Sequence, residues 1–401
     1  MTAVTEATLT LKLTERINRI EPSATMAVVA EADKLRQQGI DVVDFGAGEP
    51  HFATPQHIKE AGIAAIQGNF TKYTAVSGTT ELRDAIAHRH AVDFDSDYRR
   101  EEVIASTGGK QALFNAVQVL VDHGDEVILP VPYWVSFKDI VRYAGGNCVL
   151  LETDETQGFR VTAGMVERLI TPRTKLIILN SPSNPSGAVM SPGDLTEVVR
   201  LAHERGIWVI SDECYVYLNY TAKRFSVGSL REFRERMVIV GSLSKTYSMT
   251  GWRLGYALGP APVVNAMQKL QSQSTSNPTS IVQKAAVAAL KGPQQCVTDM
   301  RAEYINLRDH VINGLRSIPG VKCTLPEGAF YAYPNVSAFF GRGSGVKSAS
   351  DLAGKLLREA HVATVPGEGF GTRDHIRVSY ATSIAELDRG VERVRKFLAA
   401  L

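Results

Sequence analysis

Gly241-Ser242-Leu243-Ser244-Lys245-Thr246-Tyr247-Ser248-Met249-Thr250-Gly251-Trp252-Arg253-Leu254-Gly255 sets one amine among hydroxyls and glycines, eight residues ahead of an arginine. A lysine amine condenses with an aldehyde as a Schiff base, while Ser242, Ser244 and the Arg253 guanidinium supply directed donors for a dianionic phosphate. Upstream, Trp208-Val209-Ile210-Ser211-Asp212-Glu213-Cys214-Tyr215 reads as a strand that ends in an acid, with a tyrosine three residues beyond it. An acid at Asp212 keeps a pyridine nitrogen protonated. The cofactor that fits all of these groups is pyridoxal phosphate, whose protonated ring is an electron sink for a carbanion next to nitrogen.

Outward from this segment, apolar β-rich runs alternate with amphipathic helical stretches, the pattern of parallel strands joined by crossover helices. Val103–Ser106 leads into a predicted helix over 110–121, and Glu126–Leu129 precedes another near Trp134. Cys148–Leu151, Leu176–Leu179, Trp208–Ile210 and Val238–Val240 continue the sheet. These runs are apolar throughout, as strands covered by helices on both faces must be. After Pro260 long helices are predicted to about Ser317, including a linking helix. Short strands at Tyr331–Tyr333 and Ile376–Ser379 then mix with helices over 349–360 and 384–400, which reads as a smaller domain. Residues 23–39 are predicted to fold onto it as a helix, with Ser23 near its start and Gly39 at its end. The expected fold is α/β: a large domain with a mostly parallel sheet flanked by helices, plus a small α+β domain.

Further motifs follow in order: Gly46-Ala47-Gly48-Glu49-Pro50, Lys72-Tyr73, Gly108-Gly109-Lys110-Gln111-Ala112-Leu113, Pro132-Tyr133-Trp134, Asn180-Ser181-Pro182-Ser183-Asn184-Pro185-Ser186-Gly187 and Arg377-Val378-Ser379-Tyr380-Ala381-Thr382-Ser383. With these the chain resembles the class I aminotransferases of fold type I, most closely the bacterial branch of aspartate and aspartate/prephenate enzymes. The resemblance implies an arm and small-domain segment over 1–50, a large cofactor-binding domain over 51–292, and a linking helix with the small C-terminal domain over 293–401. It also implies a ping-pong transfer of an α-amino group, most naturally from aspartate, to 2-oxoglutarate through pyridoxamine phosphate. The same scaffold also hosts transaminases for aromatic, prephenate or neutral donors, and lyases. Amino transfer to an added oxo acid separates the last of these.

By that resemblance Lys245 carries the cofactor and shuttles a proton, Asp212 pairs with the ring nitrogen, and Tyr215 and Asn184 donate to the phenolate oxygen. Asp212 also reads as a strand-terminal capping acid, and Asn184 as a turn residue before Pro185. Gly108, Gly109 and Lys110 open a helix whose backbone amides face an anion, although glycines at such turns also have steric reasons to be there. Trp134 resembles the aromatic that lies on the cofactor ring. Tyr73 resembles the residue that reaches the phosphate of a partner subunit, which implies a homodimer with composite sites. Arg377 suits bidentate capture of the substrate α-carboxylate, and Gly48 adds a backbone contact to the same group.

Side-chain specificity is written more faintly. Gln271-Ser272-Gln273-Ser274-Thr275-Ser276-Asn277 lacks the arginine with which one branch binds a second carboxylate, whereas Lys110, which shares that task in the branch resembled here, is present. This favours a dicarboxylic substrate. Glu21-Pro22-Ser23-Ala24-Thr25 has an acid where many aspartate/prephenate members have a lysine, which counts against prephenate. Ser23 and Thr25 remain as hydroxyl donors or helix caps.

The bulk properties agree. A chain of 401 residues with 44 % hydrophobic content is long enough for more than one domain. A net charge of +2, with Arg99-Arg100-Glu101-Glu102 and the 231–236 run alternating in sign, gives no reason to expect nucleic acid. Cys148, Cys214, Cys296 and Cys323 are far apart and lack metal-ligand spacing, so reduced thiols, no metal and a cytoplasmic location are expected. No leader pattern or membrane-length apolar run is read, and residues 1–12 are expected to form an arm. A ligand-sensing regulator on the same fold needs a DNA-binding segment for which the short N-terminus leaves no room. Gly341-Arg342-Gly343-Ser344-Gly345 reads as a surface loop.

Overall fold

The computed structural model describes residues 12–22, 24–221, 224–341 and 345–401. The expected arm up to residue 11, Ser23, the side chain of Thr25 and the loop residues 342–344 lie outside the described residues.

The strands are β1 (Val43–Asp44), β2 (Val103–Ser106), β3 (Glu126–Pro130), β4 (Asn147–Leu151), β5 (Thr174–Asn180), β6 (Trp208–Asp212), β7 (Met237–Ser242), β8 (Gly255–Leu258), β9 (Tyr331–Ala332), β10 (Val362–Ala363), β11 (Val365–Pro366) and β12 (Ile376–Ser379). Seven of them form one sheet in the order β2-β8-β7-β6-β5-β3-β4. Neighbours from β7 through β6, β5 and β3 to β4 run parallel, while β8 is antiparallel to both β7 and β2.

Strand periodicity explains why the central runs carry no polar face. Ile128, Ile177, Leu179, Val209 and Ile239 point into one core with Leu82, Val198 and Ala286 of the helices over them. The alternate residues Val127, Leu176, Ile178, Ile210, Val238 and Val240 point into a second core with Leu113, Val117, Phe137 and Val264. Burying each such side chain stabilises the fold by about 1.5–3 kcal/mol, so the sheet is held from both sides. Expectation and structure differ at β4, the sheet edge, where Asn147 and Leu150 are exposed. They differ again at β8, which sequence periodicity did not single out.

A third core gathers the long helix Gln295–Arg316, β1, β9, β12 and the helices Ala349–Glu359 and Ile384–Ala399. Here β11, β12 and β9 form an antiparallel sheet and β1 pairs with β10 in parallel. The helix Ala24–Gln37 packs beside this unit through Ala32, Val28 and Leu35 against Leu357 and Ala363. Among the described residues no helix is long and apolar enough to cross a membrane. Within the two mixed-charge runs Arg100 pairs with Asp84, Arg231 with Asp95 and Arg234 with Asp97 and Glu102.

Candidate active site

The parallel strands deliver polar residues at their C-terminal ends, where an α/β sheet opens a crevice between helix and strand. Asn180 and Asp212 end β5 and β6 and are paired in register, and Ser242 ends β7. Asp212 is 5 % exposed and has no cationic partner within ion-pair distance among the described residues. Burial pushes its carboxyl up to about 7, opposed by a hydrogen bond from the Cys214 N–H (3.0 Å) and reinforced by neighbouring Glu213. The capping reading of Asp212 therefore holds for one oxygen only.

Lys245 lies in the short helix Leu243–Thr246 that Ser242 caps by accepting from the Ser244 N–H at 3.1 Å. Its Nζ donates to the carbonyl oxygen of Gly48, and burial pulls its pKa down to about 8. The Cys214 thiol between these residues is pushed up to about 12 by burial and by the charge of Asp212, opposed by Lys245, Ser242 and Arg253.

The helix Gly109–Leu120 begins against this group. Gly108 has φ +81°, and a Cβ there would stand 2.5 Å from an Arg253 Nη. The missing side chain is what lets the guanidinium cross the helix N-terminus, where free N–H groups and the macrodipole favour an anion. On the other side a Cβ on Gly255 would meet the Gly109 N at 2.2 Å, so β8 presses directly on the same turn. Arg253 has φ +53° and its Nη1 donates to Thr250 O at 3.0 Å. Ser242 borders this turn, a Cβ on Gly109 lying 3.3 Å from that of Ser242, and Ser244 follows it in the capped helix.

Arg377 on β12 is 2 % exposed. It donates to Gly46 O (2.8 Å) and Asn184 Oδ1 (3.0 Å), and its Nε has no partner. Its guanidinium lies 4.5 Å from the Tyr331 ring centroid and 5.2 Å from that of Phe370. No carboxylate pairs with it among the described residues, so its charge is left unmatched by the protein. With its Oδ1 accepting from Arg377, Asn184 presents Nδ2 as a donor. Tyr215 is buried, and its hydroxyl sits 2.7 Å from that of Tyr331. A Cβ on Gly48 would lie 3.3 Å from the Tyr331 hydroxyl and 3.9 Å from Arg377 Nη2.

Lys110 holds its Nζ 4.9 Å from the Trp134 ring centroid, and burial, then Arg253, lower its pKa. A cavity of about 680 Å³ opens beside Lys110 and Arg253 and is walled by Glu21, Phe114, Tyr143 and Glu368. Glu21 faces Arg142 at 3.7 Å on the outer edge of that space.

Thus the chain gathers Gly48, Gly108, Gly109, Lys110, Trp134, Asn184, Asp212, Tyr215, Ser242, Ser244, Lys245, Arg253 and Arg377 around one crevice. It does not gather Tyr73, which is 91 % exposed. Sequence reasoning missed Tyr331 and Phe370, the rings beneath Arg377. Tyr331 stood in a run read only as a strand. The unmatched charges fit pyridoxal phosphate: Asp212 complements a protonated ring nitrogen, the glycine turn with Arg253 complements a phosphate, and Lys245 is a buried amine of lowered pKa. A buried guanidinium with no acid is costly by several kcal/mol, a cost that a bound carboxylate would offset.

Comparison with known proteins agrees with this chemistry. Residues 40–394 match the family described as aminotransferase class I and II. The aspartate aminotransferase of Geobacillus stearothermophilus is 44 % identical over 392 residues, covering 97 % of this chain and all of that protein. The aspartate/prephenate aminotransferase of Nitrosomonas europaea is 41 % identical over 397 residues, 97 % of this chain and 100 % of the relative. The solved Thermus thermophilus aspartate aminotransferase with maleate superposes with a TM-score of 0.92 at 42 % identity, covering 98 % of this chain and 100 % of that one. The chain belongs to the class I and II aminotransferases, a family of pyridoxal phosphate-dependent enzymes that act on amino and oxo acids.

Proposed function

We propose that this protein is an aspartate aminotransferase that passes the amino group to 2-oxoglutarate in two half-reactions. One observation carries the reading: Arg377, almost fully buried, has no acid to neutralise it among the described residues, while Asp212, equally buried, has no cation. Both unpaired groups match an amino acid held against a pyridinium ring. The relatives named for aspartate support the donor, as does the Thermus enzyme solved with maleate, a four-carbon dicarboxylate.

When bound, the cofactor supplies an aldehyde for the amino group and an electron sink for the pair left at the α-carbon. Around it Lys245 would be the point of attachment, and once the substrate amine displaces it, its Nζ, partly neutral because burial lowers its pKa, would carry the proton between the substrate α-carbon and the cofactor's aldehyde carbon. Asp212 holds the proton on the ring nitrogen. Tyr215 and Asn184 Nδ2 donate to the phenolate oxygen. The amides of Gly108 and Gly109, the Ser242 and Ser244 hydroxyls and Arg253 hold the phosphate. Trp134, beside Lys110, would supply an aromatic surface for the cofactor ring. Arg377 grips the α-carboxylate with the Gly48 backbone beside it, and Lys110 attracts the distal carboxylate from the wall of the cavity.

The reading extends to an N-terminal arm and small-domain segment over 1–50, a large cofactor-binding domain over 51–292, and a linking helix with the small C-terminal domain over 293–401. It also includes a homodimer in which Tyr73 serves the partner's phosphate site. Exposure of Tyr73, with Ile63 and Ile66 half exposed on the neighbouring helix Gln56–Gln67, supports that pairing. Four unpaired thiols support a reducing, cytoplasmic setting.

The test is a single-turnover absorbance experiment with a panel of amino acids. Fast bleaching of the cofactor band by aspartate and glutamate is expected. Equal rates with alanine or phenylalanine, and none with aspartate, refute the dicarboxylate assignment.

A further inference from the structure

We infer that Tyr331 is a positioning residue that ties the carboxylate grip to the tuning of the cofactor, through a one-way hydrogen-bond relay into Tyr215. The inference rests on the assignment of Tyr215 as a donor to the cofactor's phenolate oxygen. The observation behind it is geometric: the two hydroxyl oxygens are 2.7 Å apart in a buried pocket, and the Tyr331 ring lies 4.5 Å beneath the Arg377 guanidinium.

Counting protons fixes the direction. Each phenol has one O–H to give and lone pairs to receive. Burial raises both pKa values, so neither is ionised at neutral pH. If Tyr215 directs its only proton at the cofactor, the short contact to Tyr331 must be filled by the Tyr331 proton, donated to the Tyr215 oxygen. An oxygen that accepts becomes a better donor at its own hydrogen, because chained hydrogen bonds polarise one another. Tyr331 therefore strengthens the bond that Tyr215 makes without touching the cofactor itself.

The ring side of the same residue has a second duty. Arg377 approaches the faces of Tyr331 and Phe370, and its in-plane bonds to Gly46 O and Asn184 Oδ1 fix its rotation. In this buried pocket the aromatic face offsets part of the cost of holding an unpaired cation before substrate arrives. The titratable and charged groups that face the phenol pair are Cys214 and Arg377, with Lys245 held on Gly48 close by. Gly48 closes the arrangement, since a Cβ there would press on the Tyr331 hydroxyl at 3.3 Å.

The two duties separate by substitution. Tyr331→Phe removes the hydroxyl and keeps the ring; Tyr331→Leu removes both. The probe is the pH at which the visible band of the loaded enzyme changes, read by absorbance without turnover. A hydrogen bond donated to the phenolate lowers that pH, and losing it raises it. Tyr215→Phe is expected to raise it most, Tyr331→Phe to raise it by a smaller amount, and the double variant to match Tyr215→Phe alone. KM for the amino acid is expected to stay near wild type in Tyr331→Phe and to rise several-fold in Tyr331→Leu. If Tyr215→Phe shifts the transition and Tyr331→Phe does not, or if the two shifts add, the relay is overturned. If neither variant moves the transition, the assignment of Tyr215 itself falls, and the relay with it.

Discussion

Replacing Asp212 with asparagine is expected to stabilise the cofactor-free protein at high pH while crippling the loaded enzyme. The carboxyl is 5 % exposed, unpaired, and shifted from 3.8 to about 7 by burial. Between those values the folded chain holds a proton that the unfolded chain has released, so stability falls as pH rises through the window and the loss is complete above 7. Three units at about 1.4 kcal/mol each give roughly 4 kcal/mol, and about 2 kcal/mol after allowing for water penetration and relaxation. Asparagine keeps the shape and the Cys214 contact but does not titrate. Denaturant unfolding of cofactor-free wild type and Asp212→Asn should therefore show a stability gap in favour of the variant that widens by about 1–2 kcal/mol from pH 5 to pH 8. Adding pyridoxal phosphate should reverse the order, because only the aspartate gains a cationic partner. A gap that stays constant between the two pH values would mean that Asp212 is already solvated or paired, and the reasoning from its isolation would be wrong.

Other perturbations read other parts of the crevice. Arg377→Lys replaces a planar fork by a point charge and leaves Asn184 Oδ1 short of a donor; a loss of about 3 kcal/mol, near 100-fold in kcat/KM, is expected from steady-state kinetics. Gly48→Ala drives a methyl against the Tyr331 hydroxyl and Arg377, so KM for aspartate should rise while thermal stability changes little. Gly255→Ala sets a Cβ 2.2 Å from the Gly109 N; overpacking of this kind costs about 1–3 kcal/mol or more, and equilibrium dialysis should show weakened cofactor retention because the anion-binding turn must move.

Much of the fold is legible locally because a strand covered on both faces has no polar alternation to hide it. Leu176–Leu179 and Val238–Val240 are such runs, and they became the middle of β5 and β7. β8 was not legible. Gly255–Leu258 is four residues long and is fixed by what it touches, with Gly255 against Gly109 and the strand laid antiparallel to β2 and β7. At the site, lysine, acid and arginine announce themselves through chemistry and spacing. Tyr331 does not, because its function comes from a contact with Tyr215, 116 positions away in sequence, and from a ring face turned to β12. Strand order is likewise a long-range property: β3 lies between β4 and β5, and no local pattern records it. The positive φ of Arg253, which carries the guanidinium across Gly108, also comes from the turn around it rather than from its own preference.

The central claim is that a single buried amine tethers the cofactor. Borohydride reduction of the loaded protein followed by peptide mapping tests it directly: a pyridoxyl group is expected on Lys245 and on no other lysine, and a label on Lys110 or elsewhere, or no label at all, would contradict the claim.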